Sequence, residues 1–229
     1  MSLLKEMHHR TEQFHLVFEG IDVYNKKALP ENVDIEQILK KVFSIIPPHL
    51  MRGIESIQVG EFDSLKKREV DAVYEDGSIY IVPSFIQDQG ELLKNIVHEI
   101  AHSVEELDLL GIYGDNSVEY EFLKKRSILL DRLKSLGYTI PNKSLFLQAE
   151  YSSDLDDYFY KEIGYPLMMQ ITSDLFFSPY GCTSLREYFA NCFEQYFLDN
   201  PANLKKMSPK VYKKIYSISK EQEKNYGNF

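Results

Sequence analysis

His98-Glu99-Ile100-Ala101-His102 decides how the rest of this chain is read. The five residues have the form H-E-x-x-H and lie in a segment of helical periodicity. Leu92, Ile96, Ile100 and Val104 make one apolar line, and Leu93, Val97 and Ala101 make the neighbouring one. Both histidines fall at the margin of that stripe. Residues four apart stand one turn above the other on a single helix face. From there two imidazoles can reach one Zn²⁺, with Glu99 beside the metal's open position, where a general base is needed. Asp88 followed by Glu91 predicts a capping box at the start of the helix, and Gly111 closes the region.

Composition narrows the partners. The chain has 229 residues with 44 % hydrophobic content, enough for a sizeable core. That length suits a single domain with two sublobes, residues 1–110 (α/β, with the H-E-x-x-H helix) and 111–229 (helical). A formal net charge of −9 argues against a nucleic-acid partner, because phosphate binding needs a concentrated basic surface. The opening MSLLKEMHHRTEQF has no long apolar run, and no later run is long enough to span a bilayer. The expectation is a cytoplasmic chain with no membrane partner, release by a non-classical route staying open. Cys182 and Cys192 are the only cysteines, so no disulfide framework is expected.

The pattern elsewhere predicts an α+β chain with a small N-terminal mixed sheet and a mainly helical C-terminal lobe. Residues 14–18 read as a strand. Residues 34–46 read as a helix, with Ile35, Ile38, Leu39, Val42 and Ile46 on one side and Pro47-Pro48 as its stop. Residues 70–74 and 78–82 flank Glu75-Asp76-Gly77, a hairpin signal. The second arm ends at Pro83, which suits a sheet edge. On that basis Ile79, Tyr80, Ile81 and Val82 are expected to form an exposed edge to which an extended peptide could add as a strand. Residues 118–136, 185–198 and 208–219 read as helices, and the aromatic-rich stretch 138–179 as short helices and loops.

A catalytic zinc needs a third protein ligand. Glu105 and Glu106 continue the same helix and are read as solvated surface. Glu121 lies at a spacing used by zinc aminopeptidases, though Val118-Glu119-Tyr120-Glu121-Phe122-Leu123 lacks the surroundings of that family. Other candidates have plain readings. His8, His9, His15 and His49 have no partner spacing and are taken as non-ligands. Asp154, Asp156 and Asp157 lack the spaced oxygens and glycine of a calcium loop and read as a solvated loop and helix start. Cys192 reads as a small core residue.

Glu187 enters through a resemblance. The pair formed by His98-Glu99-Ile100-Ala101-His102 and, far downstream, Tyr180 seven residues before Glu187-Tyr188-Phe189-Ala190 resembles the catalytic domain of anthrax lethal factor and its relatives, the Pro-Pro endopeptidases among them. The resemblance spans roughly residues 50–200 and is specific only in these motif pieces. It implies a zincin-like metalloprotease fold of the gluzincin type. It implies one Zn²⁺ per chain held by His98, His102 and Glu187, with Glu99 as general base and Tyr180 facing the substrate carbonyl, and a peptide or protein as substrate. The chain departs from the family in carrying Asn191 where a second Glu usually follows the ligand by one turn, a position that could brace a zinc histidine. Stretch 138–179 reads as an insertion. Ser184-x-x-Glu187 would also make a capping box that needs no metal. The expected activity is therefore that of a zinc-dependent endopeptidase. A zinc aminopeptidase using Glu121, or a non-catalytic zinc-stabilised module, are the alternatives; Glu99 argues against the last, since a structural site needs no base.

Overall fold

The computed structural model describes residues 14–225; His8 and His9 lie outside them. The chain is α+β, and its contacts divide it into two compact units that part in sequence after Leu107.

The first unit is built on a five-stranded mixed sheet. Its strands are β1 (Phe14–Phe18), β2 (Ile21–Asn25), β3 (Ser56–Val59), β4 (Ala72–Glu75) and β5 (Ser78–Ile81), in the spatial order β1-β2-β3-β5-β4. The central pairings β2–β3 and β3–β5 are parallel, and the outer ones, β1–β2 and β4–β5, are antiparallel. Asp76 and Gly77 both take positive φ (48° and 78°), the backbone that a two-residue hairpin turn demands. Helix α1 (Ile35–Ile45) begins at Asp34, whose side chain accepts from the N–H groups of Glu36 and Gln37. It buries Ile35, Ile38, Leu39 and Val42, as the periodicity predicts. Strand β2 and the short helix α2 (Asp63–Lys67) had no clear periodic signal, being five residues each.

One expectation is overturned here. Ile79, Tyr80, Ile81 and Val82 do not form an edge. Strand β5 lies between β3 and β4, and these four residues are at most 1 % exposed. The hairpin partner β4 takes the outer position instead. A proline after a strand marks its end, but does not say which hairpin arm pairs inward; the parallel register Ile57↔Ile79 with β3 decides that.

Helix α3 (Gln89–Leu107) carries the H-E-x-x-H residues and packs on β4 within the same unit. Asp88 Oδ1 accepts the Glu91 N–H at 2.9 Å, and the Glu91 carboxylate accepts the Gln87 N–H at 2.6 Å. The capping box therefore closes one residue earlier than its usual form.

The second unit is helical. It contains α4 (Leu109–Tyr113), α5 (Ser117–Ser135), α6 (Ser153–Asp157), α7 (Tyr165–Thr172), α8 (Leu185–Leu198), α9 (Pro201–Met207) and α10 (Pro209–Asn225). Short 3₁₀ turns lie at Lys143–Leu147 and Tyr180–Cys182, and a π-helical turn at Tyr158–Ile163. Stretch 138–179 is thus short helices and turns, held by rings such as Phe146 on Phe159. Asp156 is less free than a solvated loop carboxylate, since it accepts the hydroxyls of Tyr151 (2.8 Å) and Tyr165 (2.9 Å). No helix among the described residues is long and apolar enough to cross a membrane. Cys182 and Cys192 are both buried free thiols.

Candidate metal centre

The i, i+4 spacing does what helix geometry dictates. The His98 and His102 rings meet edge to face, with centroids 4.9 Å apart. His102 is buried and His98 half-buried. Glu99, one residue on, turns towards the sheet. It is 6 % exposed, and its Oε2 accepts the backbone N–H of Tyr74 at 2.7 Å. In an antiparallel pair, every second residue of the outer strand points its N–H away from its partner. The Val82 N–H bonds the Asp71 carbonyl, so residues 71 and 73 face β5 while Tyr74 faces outward. Glu99 thus accepts an outward-facing donor of the edge strand β4.

Glu105 is the residue that the sequence reading missed. It was expected on a solvated surface, as Glu106 is. Instead Glu105 is 5 % exposed, and its Oε2 lies 3.3 Å from His102 Nδ1. A carboxylate on Nδ1 fixes the ring and leaves Nε2 for a metal. The signal available was the i, i+3 spacing from His102, which puts both side chains on one face. What sequence could not supply is the burial of that face.

Glu187 opens helix α8. Ser184 caps that helix through Oγ, which accepts the Glu187 N–H at 3.1 Å. The cap predicted from Ser184-x-x-Glu187 therefore exists, made by the backbone of Glu187. Its carboxylate belongs to another group: one ligand atom each from His98, His102 and Glu187, all within 4.8 Å of one another. Four-coordinate zinc with bonds of ~2.1 Å would set such donors roughly 3.4 Å apart. The three donors lie within about 1.5 Å of that spacing, and two imidazoles with a carboxylate are a donor set suited to a divalent transition metal. Among the described residues, these three could hold a metal ion.

The rest of α8 explains how Glu187 is held. Tyr188 is 1 % exposed; its hydroxyl accepts from Lys125 Nζ at 2.8 Å and donates to Glu121 Oε1 at 3.0 Å. Burial raises the pKa of that phenol and lowers that of the Lys125 ammonium. Lys125 also donates to Ser208 Oγ at 2.7 Å. The network ties α5, α8 and the start of α10 together. Arg126, fully buried, clamps the approach to α8 by donating to the carbonyls of Leu145, Gln148 and Thr183.

Glu121 has a different task from metal binding. Its Oε2 accepts the Lys210 N–H at 3.0 Å, and its Oε1 the Val211 N–H at 3.4 Å. These are first-turn donors of α10 that have no partner within their own helix. Glu121 is therefore a helix cap supplied by a neighbouring helix, where its charge also suits the helix dipole.

Tyr180 is 39 % exposed and begins the turn Tyr180–Cys182. Asn191 braces that turn. Its Oδ1 accepts from Ser178 Oγ, whose oxygen in turn accepts the Gly181 N–H at 3.0 Å. Asn191 Nδ2 donates to Glu194 at 3.5 Å. A Cβ on Gly181 would lie 2.8 Å from Asn191 Oδ1, so glycine is what lets the turn approach. The Asn191 amide thus holds the segment bearing Tyr180.

No protein-family model, curated protein or solved structure matches this chain.

Proposed function

We propose that this chain is a zinc-dependent endopeptidase of the zincin-like, gluzincin type, similar to the lethal-factor group. The observation that carries the reading is the convergence of His98, His102 and Glu187 with the buried Glu99 on the same helix as the two histidines. A structural site needs only ligands, whereas a carboxylate buried next to a ligand histidine suits proton transfer. Zinc bound there would acidify a water and polarise the scissile carbonyl.

The remaining steps belong to the chain's own residues. His98, His102 and Glu187 supply the ligands, and Glu105 orients the second imidazole through Nδ1. Glu99 takes the proton from the attacking water and returns it to the leaving amine. Tyr74 N–H occupies Oε2 and fixes the carboxylate's rotation, which leaves Oε1 as the proton acceptor. Tyr180, partly exposed on a braced turn, donates its hydroxyl to the oxyanion. The aminopeptidase alternative loses support because Glu121 caps α10.

The test is metal content together with cleavage of a peptide library, with and without a chelator. Zinc near one per chain, with chelator-sensitive cutting inside N-terminally blocked peptides, is the expected result. Bound zinc with no cut in any peptide of a diverse library would overturn it.

A further inference from the structure

Helices α9 and α10 carry a charge that the whole-chain value hides. Residues 201–220 hold six lysines, Lys205, Lys206, Lys210, Lys213, Lys214 and Lys220, and no Asp or Glu. A stretch of +6 in a chain of net −9 leaves −15 for the remainder. Val211, Ile215 and Ile218 are buried, so the apolar side of α10 is taken up by the core of its own unit. At about 100° per residue, Lys210, Lys213, Tyr216 and Lys220 fall within about a third of the circumference on the opposite side, and all four are exposed. Lys205 and Lys206 are exposed at the end of α9. Lys205 Nζ lies 5.7 Å from the centre of the Tyr212 ring, and that ring stacks on Tyr216 (6.1 Å, 19°), so both helices contribute to one strip.

Carboxylates reach the strip at two points. Asp115 pairs with Lys214 at 3.1 Å, and Glu121 takes the backbone N–H groups of Lys210 and Val211. Among the described residues, no carboxylate pairs with the ammonium of Lys205, Lys206, Lys210 or Lys213. Four such groups call for an anionic partner, and three kinds compete. Discrete phosphates, as in nucleic acid, are best held by helix N-terminal amides and arginine forks. Here the α10 amides are taken by a carboxylate that repels phosphate, and residues 201–220 contain no arginine. A specific protein interface needs an apolar or aromatic centre and is depleted in lysine. Tyr216 is the single large exposed hydrophobic on the described parts of α9 and α10. An anionic lipid surface needs neither fork nor centre. It attracts ammonium groups as diffuse charge and takes a tyrosine ring at headgroup level.

We propose that the α9–α10 face docks this chain on an anionic lipid surface, lying on it without spanning it. Neither spanning length nor whole-chain charge registers a local strip, which is why both point away from a membrane partner. The acidic remainder of the chain is repelled by the same surface, and that repulsion selects this face for approach. The inference is independent of the peptidase reading and of any bound metal.

Two measurements test it. In the first, the full chain is sedimented with phosphatidylcholine vesicles containing roughly one-quarter phosphatidylserine, and with phosphatidylcholine alone. Binding to the mixed vesicles at low salt, its loss at about 1 M salt and no binding to phosphatidylcholine are expected. Lys206→Gln, Lys210→Gln and Lys213→Gln, all at exposed positions, should each lower the partition about fivefold, and together about a hundredfold. Lys67→Gln, exposed in the first unit, should leave it unchanged. Equal binding to both vesicles, binding to neither, a triple variant that binds like the parent, or an equal loss in K67Q would overturn the proposal. A single-stranded RNA or polyglutamate that binds where vesicles do not would overturn it in favour of that partner. The second measurement exploits a chain without tryptophan. Tyr216→Trp supplies the only indole, whose emission should shift to the blue with phosphatidylserine vesicles and stay in place with phosphatidylcholine. Unmoved emission in a protein that sediments with the vesicles would put the contact on another face and reject the proposal.

Discussion

The backbone N–H of Tyr74 lies 2.7 Å from Glu99 Oε2, joining the outer strand of the sheet to the carboxylate between the two candidate metal histidines. An acceptor is required there whatever the chemistry, because an unpaired buried N–H costs about 1–3 kcal/mol. Glutamine at position 99 keeps an acceptor oxygen but cannot take a proton. Glu99→Gln should therefore fold and bind metal like the parent, while kcat falls roughly 10²–10⁴-fold, the usual contribution of a general base. Metal analysis beside peptide turnover checks this; parental turnover in E99Q would remove Glu99 from the reaction.

Two glutamates that both suit a third-ligand role in sequence should separate cleanly. Glu187→Ala should empty the metal site. Glu121→Ala should keep its metal and instead lose about 1–2 kcal/mol of stability, because first-turn N–H groups of α10 lose their acceptor. Metal stoichiometry and urea melts on the two variants give the answer, and the opposite pattern would exchange their roles.

Glu105 and Glu106 are adjacent, but only Glu105 reaches His102. Glu105→Ala should weaken zinc roughly 10–100-fold, the range for loss of a carboxylate behind a ligand histidine. Glu106→Ala, at an exposed position, serves as the control and should leave affinity unchanged. A competition titration against a chelator of known affinity measures both.

The brace on the Tyr180 turn predicts a non-additive pair. Tyr180→Phe should cost roughly 10²–10³ in kcat, as removal of an oxyanion donor does, with metal retained. Asn191→Ala should lower kcat in the same direction with KM little changed. In the Y180F background it should add nothing further, since its effect passes through the tyrosine. Full additivity in that double-mutant cycle would mean that Asn191 acts elsewhere.

Burial pushes the thiols of Cys182 and Cys192 each up to about 12 from an ordinary 9. The native state keeps these protons where the unfolded chain has released them. Stability from this source is therefore intact below about pH 9 and declines as pH rises towards 12. Native protein should be inert to thiol reagents at pH 8, and denatured protein should react at both cysteines. Rapid labelling of the native form would contradict the burial.

Local pattern carried much of this architecture. The helix bearing His98 and His102, its start at Asp88, the Asp76-Gly77 turn and the cap at Ser184 each depend on residues within a turn or two of one another, so periodicity and capping chemistry determine them. Which strand lies outermost was settled by the pairing of β5 with β3, residues 22 apart in sequence, and no alternation within the hairpin encodes it. Glu105 and Glu121 show the same division. Each is an ordinary helix-face carboxylate in sequence, yet one is buried against a histidine and the other is spent on a helix 89 residues downstream. The sequence determined where ligand-type residues lie along each helix; packing alone decided which of them face each other, because burial and partner choice depend on elements that meet only in the folded chain.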